Sequence, residues 1–273
     1  MSKQVIIYDD ACPLCTAYTK AFVKAGLLAG DGRQSFSSVD KEVMRLIDET
    51  KCRNEIPLID TSTGKITYGI DALLEVLGSG WPFIKTCGNV KPVKYVLRKC
   101  YKFISYNRRS IVATENKTAV INSAPDFNAF YRLALLIFGL LFNTLMLVPL
   151  HYYVLPKSIF DEASLMQLQA AHLLFVGVNI FMSATYKRQQ SFEYLAQINM
   201  LALTSILLST PLMLINKFIN VPEMFNNIYL AGILFFIIKE YFRRMEFAGI
   251  SFGSKVIYIN IFCLVAFIVF IMH

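Results

Sequence analysis

Val5-Ile6-Ile7-Tyr8-Asp9-Asp10-Ala11-Cys12-Pro13-Leu14-Cys15 is an apolar run that ends in a Cys-x-x-Cys and opens a helical pattern. A strand that feeds a short turn and then a helix puts Cys12 at the helix N-terminus, where unpaired N–H groups and the helix dipole stabilise a thiolate. Cys12 is therefore the candidate nucleophile. Cys15 lies one turn further on the same face, in reach of a mixed disulfide on Cys12, which is the resolving position in thiol exchange. Pro13 suits the first helical turn. Leu14, Tyr18, Phe22, Val23 and Leu27 then carry a helix-spaced apolar stripe, with Gly30-Asp31-Gly32 as the expected end of the element.

A Cys-x-x-Cys is also half of a zinc site, or a dithiol with no remaining role. The other cysteines, Cys52, Cys87, Cys100 and Cys263, are isolated in sequence. The three histidines, His151, His172 and His273, all fall in the hydrophobic half. No second ligand pair completes a tetrahedral site, so the sequence favours redox chemistry and no metal.

Downstream, Gln34–Val39 reads as a second strand, and Asp40 as the N-cap of a helix from Lys41 to about Thr50. Glu55–Asp60 is a third strand, joined through Thr61-Ser62-Thr63-Gly64 to a hairpin partner, Lys65–Tyr68. Gly69-Ile70-Asp71 starts a last helix, closed by Gly78-Ser79-Gly80. The order β-α-β-α-β-β-α with a dithiol after the first strand is the minimal thioredoxin-like plan, nearer to glutaredoxin than to full-length thioredoxin.

The Tyr-Asp-x-x-Cys-x-x-Cys at 8–15, the Ile-Pro at 56–57 and the Tyr-Gly-x-Asp-Ala-Leu at 68–73 together resemble the DCC family of thiol–disulfide oxidoreductases. Members usually show Asp-Gly before the motif. Asp9-Asp10-Ala11 departs from that and leaves the role of Asp10 open. The resemblance covers about the first 80 residues. It implies that Cys12 and Cys15 form the redox pair and that Pro57 is the cis-proline facing it. It also implies that Asp10, Pro13, Ile56, Gly69 and Asp71 line the substrate side. Gly69 and Asp71 fall where glutaredoxins hold glutathione, so glutathione is a conceivable co-substrate; a plain helix start accounts for them equally well.

From Trp81 to Asp126 the chain gains positive charge. Val93, Val96, Leu97, Cys100, Phe103 and Ile104 recur at helical spacing, with Lys94, Arg98, Lys102 and Arg109 over the remaining surface. This basic amphipathic connector, placed at 86–126 behind a thiol domain at 1–85, either lies on an anionic leaflet or docks on the thiol domain. The first is preferred because a membrane follows in sequence. It accounts locally for the net charge of +8 without a nucleic-acid partner. Asn116-Lys117-Thr118 matches a glycosylation sequon that would be silent on the cytosolic side.

Of the 273 residues 55% are hydrophobic, and the mean hydropathy is +0.49, too apolar for an ordinary soluble protein. Residues 127–273 are therefore expected to form a transmembrane helical bundle of about five spans, near 128–149, 165–185, 194–215, 225–241 and 255–272. Loops alternate between poor in basic residues (Lys157; Lys217) and richer (Lys187, Arg188; Lys239, Arg243, Arg244, Lys255). With no signal peptide at Met1-Ser2-Lys3-Gln4, the positive-inside rule puts the dithiol in the cytosol and His273 outside, in a multi-pass protein of the cell (inner) membrane. Within the spans Asn143, Gln167, Gln169, His172, Asn179, Gln197 and Asn199 are polar. Interhelical hydrogen bonding explains them better than a quinone or haem site.

The expected function is thus a membrane-anchored thiol–disulfide oxidoreductase whose partner is a protein or a small thiol. The alternative is a redox-sensing or binding module on a bundle that performs the work as a transporter or partner-binding subunit. The sequence does not specify an oligomeric state.

Overall fold

The computed structural model describes residues 4–39, 41–114 and 124–272, without the side chains of Lys41 and Glu42. Asp40, the sequon at 116–118 and His273 lie outside the described residues. The chain divides into two compact units, Met1–Arg132 and Leu133–His273.

The first unit is built on β1 (Gln4–Tyr8), one of the two inner strands of a four-stranded sheet ordered β2-β1-β3-β4. Its residues alternate faces with period two, so Ile6 and Ile7 are each fully buried but in different cores. Ile6 packs with Leu27, Leu28, Leu58, Ala72 and Val76. Ile7 packs with Phe36, Ile47, Cys52 and Ile59. Burying a side chain of this size stabilises by about 1.5–3 kcal/mol, which makes this strand the anchor of both layers. β2 (Arg33–Ser35) runs parallel to β1, whereas β3 (Pro57–Asp60) is antiparallel to it and β4 (Ile66–Tyr68) antiparallel to β3. This small mixed sheet with helices on its faces is the thioredoxin-like arrangement.

The crossover helix α1 (Pro13–Lys24) stops before Gly30. Gly26 adopts φ +71°, and its N–H and that of Leu27 donate back to the carbonyls of Val23 and Phe22, both at 3.0 Å. That is a Schellman closure, which frees Leu27 to enter the core. The single helix expected from Lys41 is two pieces, α2 (Lys41–Leu46) and α3 (Glu49–Cys52). Asp48 divides them because its carboxylate accepts the N–H groups of Thr50 and Lys51 and so caps the second piece.

α4 (Gly69–Gly80) runs through the glycines expected to end it. A Cβ on Gly78 would lie 2.7 Å from that of Lys85 in α5 (Pro82–Gly88), and one on Gly80 would lie 2.4 Å from Leu27 Cδ2. These glycines permit close packing rather than termination.

The basic helix α6 (Lys91–Val112) docks on this unit, packing against α1, α4 and α5, and the compact unit extends past it to Arg132. The face it presents is the reverse of the expected one. Val93, Val96 and Cys100 are exposed, while Ser105, Arg108 and Ser110 are buried. Tyr101 packs against the Ile6 core, and acids on the unit pair with the basic residues around it. Lys94 and Arg98 pair with Asp71 at 2.6 and 3.5 Å, Lys102 with Glu55 at 3.7 Å and Arg108 with Asp9 at 3.3 Å.

The second unit is helical: α7 (Ala129–Tyr153), whose first four residues belong to the first unit, α8 (Leu165–Ser183), α9 (Arg188–Phe218), α10 (Glu223–Phe247) and α11 (Lys255–Ile271). Three helical stretches, Ala129–Lys157, Leu165–Ser183 and Arg188–Phe218, are long and apolar enough to cross a membrane. Of the other two expected spans, α10 has its apolar run bounded by Asn226 and Asn227 on one side and by Lys239 and Glu240 on the other. α11 has 17 residues, and at 1.5 Å each it falls short of a ~30 Å hydrocarbon core. Some of the polar residues in these helices bond across them, whereas His172 Nε2 is buried without a hydrogen-bond partner. Asn143 Nδ2 donates to Asn199 Oδ1 at 3.2 Å, and Asn199 Nδ2 reaches the carbonyls of Leu135 and Leu136. Gly139 makes room for this, since a Cβ there would be 2.3 Å from Asn199 Nδ2. Gln167 belongs to a capping box with Ser164 at the start of α8.

Candidate dithiol site

Cys12 is the N-cap of α1, in extended conformation, and its Sγ accepts the backbone N–H of Cys15 at 3.4 Å. A sulfur is thus seated where Ser or Asp ordinarily accepts an orphan helical N–H. Both cysteines are free, and both are buried, Cys12 at 1% exposure and Cys15 at 7%. The hydrogen bond from Cys15 lowers the Cys12 pKa to about 7, helped by the Cys15 N–H and by the charge of Arg108, against burial and Asp9. The same sharing drives Cys15 far above the ordinary thiol range, with burial and the Cys12 charge acting in the same sense. The pair is split into a thiolate former and a proton holder.

The turn between strand and helix is set by Asp9. Its Oδ1 accepts the Ala11 N–H at 3.0 Å, and its carbonyl accepts the Cys12 N–H at 3.1 Å. Its carboxylate is 3% exposed and faces Arg108 at 3.3 Å and Arg109 at 3.9 Å. Arg108 also donates to the carbonyl of Arg53 at 2.8 Å. One guanidinium therefore ties the dithiol turn to the segment leading into β3. Asp10, next in sequence, is exposed and accepts from the Ser37 hydroxyl at 3.0 Å. Pro13 occupies the first position of α1 and is exposed.

Ile56 and Cys15 line one apolar cavity of about 280 Å³, with Tyr18, Cys52, Tyr101 and Arg108 among its walls. Burial pushes Cys52 up to about 12, followed by the charges of Asp48 and Glu49. The backbone of Ile56 is committed internally, since its N–H donates to Tyr101 Oη at 2.8 Å and its carbonyl accepts from Gly69 at 2.9 Å. Pro57 is buried, and the Ile56–Pro57 bond is trans, correcting the expected cis-proline. Extended backbone held at both ends by those two hydrogen bonds puts Pro57 at a strand start opposite Tyr68, where a missing N–H costs nothing. Nothing there enforces the less favourable isomer.

Asp71 lines a polar hollow of about 220 Å³ with Glu55, Tyr68, Arg98 and Lys102. Gly69 has φ +61°, and a Cβ there would meet Glu55 Oε2 at 3.0 Å. Its N–H is taken by Ile56, and the Asp71 carboxylate by Lys94 and Arg98. Among the described residues no group of three His, Cys, Asp or Glu side chains is placed to hold a metal ion.

Residues 6–113 match the family of DCC1-like thiol-disulfide oxidoreductases. The match runs through α6, so the DCC1-like region takes in the basic helix as well as the sheet. No curated protein and no solved structure matched the chain. Asp9, Arg108 and Tyr101 of the DCC1-like region shape the site without being singled out as site residues by sequence pattern. The Tyr-Asp of the motif pointed at Asp9, whereas Arg108 and Tyr101 carried no local signal.

Proposed function

We propose that this protein is a membrane-anchored thiol–disulfide oxidoreductase, with Cys12 and Cys15 exchanging disulfides with a protein or small-thiol partner on the cytosolic side of the cell membrane. The observation that carries this reading is Cys12 at the helix N-cap with its pKa drawn down to about 7 beside a protonated Cys15. The Cys12 thiolate attacks one sulfur of the partner disulfide, forming a mixed disulfide and expelling a partner thiolate that takes up a proton. Cys15 then gives up its proton and attacks Cys12 Sγ, releasing the second partner thiol and leaving a Cys12–Cys15 disulfide. The dithiol is oxidised by two electrons, and the partner disulfide is reduced to two thiols. The three apolar helices supply the anchor, and the charge of their flanking loops supports the cytosolic placement.

The test is trapping in the full-length protein. Cys15→Ser should accumulate a mixed disulfide on Cys12 that Cys12→Ser does not form. A second reading, a redox-sensing module on a working bundle, is favoured by the burial of both sulfurs. Cellular function that survives Cys12→Ser/Cys15→Ser with normal membrane insertion would select it.

A further inference from the structure

The second unit contains a chain of hydrogen bonds whose direction is fixed from one end. Asn179 Nδ2 donates to the carbonyl of Phe175 at 2.8 Å, which turns its Oδ1 toward Tyr194, and the Tyr194 hydroxyl donates to that oxygen. With its one proton spent, Tyr194 Oη accepts from Asn260 Nδ2 at 3.0 Å. The same nitrogen donates to Tyr241 Oη at 3.1 Å. Two groups are left over. Asn260 Oδ1 is buried with no hydrogen-bond partner. The Tyr241 hydroxyl, already an acceptor, keeps its own proton to give. Because Asn179, Tyr194 and Asn260 are 1%, 0% and 4% exposed, bulk water does not reach in to satisfy them.

Asn260 and Tyr241 line a cavity of about 180 Å³ walled by α8, α9, α10 and α11, and its other walls include Phe175, Ile198, Leu201 and Leu264. We propose that this cavity binds a lipophilic single-ring phenol, whose hydroxyl donates to Asn260 Oδ1 and accepts from Tyr241. A donor and an acceptor side by side call for a group that is both, which a hydroxyl is and a carboxylate, carbonyl or ammonium is not. An ion would also pay heavily for an apolar lining. Water is both donor and acceptor, but one molecule takes up only about 30 Å³, and the one further polar side chain on the walls, Ser205, already donates its proton to the carbonyl of Ala202 at 2.8 Å. An apolar cavity of about 150 Å³ holds a benzene ring, so the volume fits one ring. A rigid ring also loses less freedom on binding than an alkyl alcohol. Ile238 and Ile261, 40% and 41% exposed, give the cavity an apolar rim suited to an apolar ligand. The inference stands apart from the dithiol reading.

The experiment titrates full-length protein in nanodiscs of zwitterionic lipid with 4-fluorophenol and with 4-fluorotoluene, read by fluorine NMR. The expected result is saturable binding of the phenol about tenfold tighter than of the toluene, the worth of about one hydrogen bond. Asn260→Leu and Tyr241→Phe should each abolish that preference, and Ala202→Phe, which fills the cavity, should abolish binding of both. Tyr241→Phe leaves the Asn179–Tyr194–Asn260 chain in place and decides the matter if Asn260→Leu does not fold. Equal binding of the two probes, no saturable binding (water or a lipid chain as the occupant), or a preference unchanged in both polar variants overturns the proposal.

Discussion

Replacing Arg108 with Met removes the guanidinium that faces the Asp9 carboxylate at 3.3 Å and keeps a side chain of similar length in place. Asp9 is 3% exposed and Arg108 6%, so the carboxylate is left charged and buried, with Arg109 at 3.9 Å as a more distant substitute. The carbonyl of Arg53 loses its donor as well. Breaking one side of a buried pair typically costs about 3–5 kcal/mol, because the survivor stays desolvated, whereas removing both sides costs far less. Arg108→Met is therefore expected to destabilise the first unit by about that amount, and Asp9→Asn/Arg108→Met to regain more than half of it. Urea unfolding of the full-length protein in detergent, followed by fluorescence of Trp81, the sole tryptophan and a residue of the first unit, reads the change. The same variants act oppositely on the thiolate. Arg108→Met should raise the Cys12 pKa and Asp9→Asn should lower it, since those charges pull it in those directions. A loss under about 1 kcal/mol, or no recovery in the double variant, would refute the claim that this pair holds the turn.

Site-resolved alkylation should show Cys12 reactivity rising through pH 7, with Cys15 and Cys52 silent until far more alkaline conditions. Because the folded Cys12 pKa lies below its ordinary 9.0, its contribution to stability is complete above pH 9 and is lost as pH falls through 7; denaturation midpoints across that window check the sign. Tyr101→Phe strips the buried Ile56 N–H of its acceptor and should cost about 1–3 kcal/mol in the same Trp81 assay. Gly139→Ala drives a methyl into Asn199 and should lower the melting temperature of the helical unit by an overpacking cost of about 1–3 kcal/mol. Asn199→Ala should restore part of it.

The strand that anchors the sheet, the dithiol at the start of α1 and the hairpin after Pro57 were readable because each rests on local chemistry: alternation, helix-start polarity and turn residues. α6 was readable as an amphipathic helix but not in its orientation. Periodicity names two faces without saying which has a partner, and here Glu55, Asp71 and Asp9 pair with the charged one. The expected stop at Gly78 failed for a related reason. A glycine signals freedom of the chain or nearness of a neighbour, and only the packing of Lys85 and Leu27 shows that Gly78 and Gly80 serve the second. The cis-proline came from resemblance alone, and the two hydrogen bonds that hold Ile56 come from residues distant in sequence.

The Asp9–Arg108 contact joins positions 99 apart in the chain. During synthesis the cysteines emerge early, but the cation that completes their turn is among the last residues of the DCC1-like region to appear. Until then Cys12 and Cys15 belong to a nascent segment that cannot bury the Asp9 carboxylate against its cation, and their thiols should behave as ordinary solvent-exposed ones. Closing so long a loop adds little to the equilibrium cost, since each doubling of length adds only about 0.6 kcal/mol. It weighs on rate instead, because non-local contacts form slowly. The part of the Cys12 acidity that Arg108 contributes is thus acquired late, as a property of the finished domain.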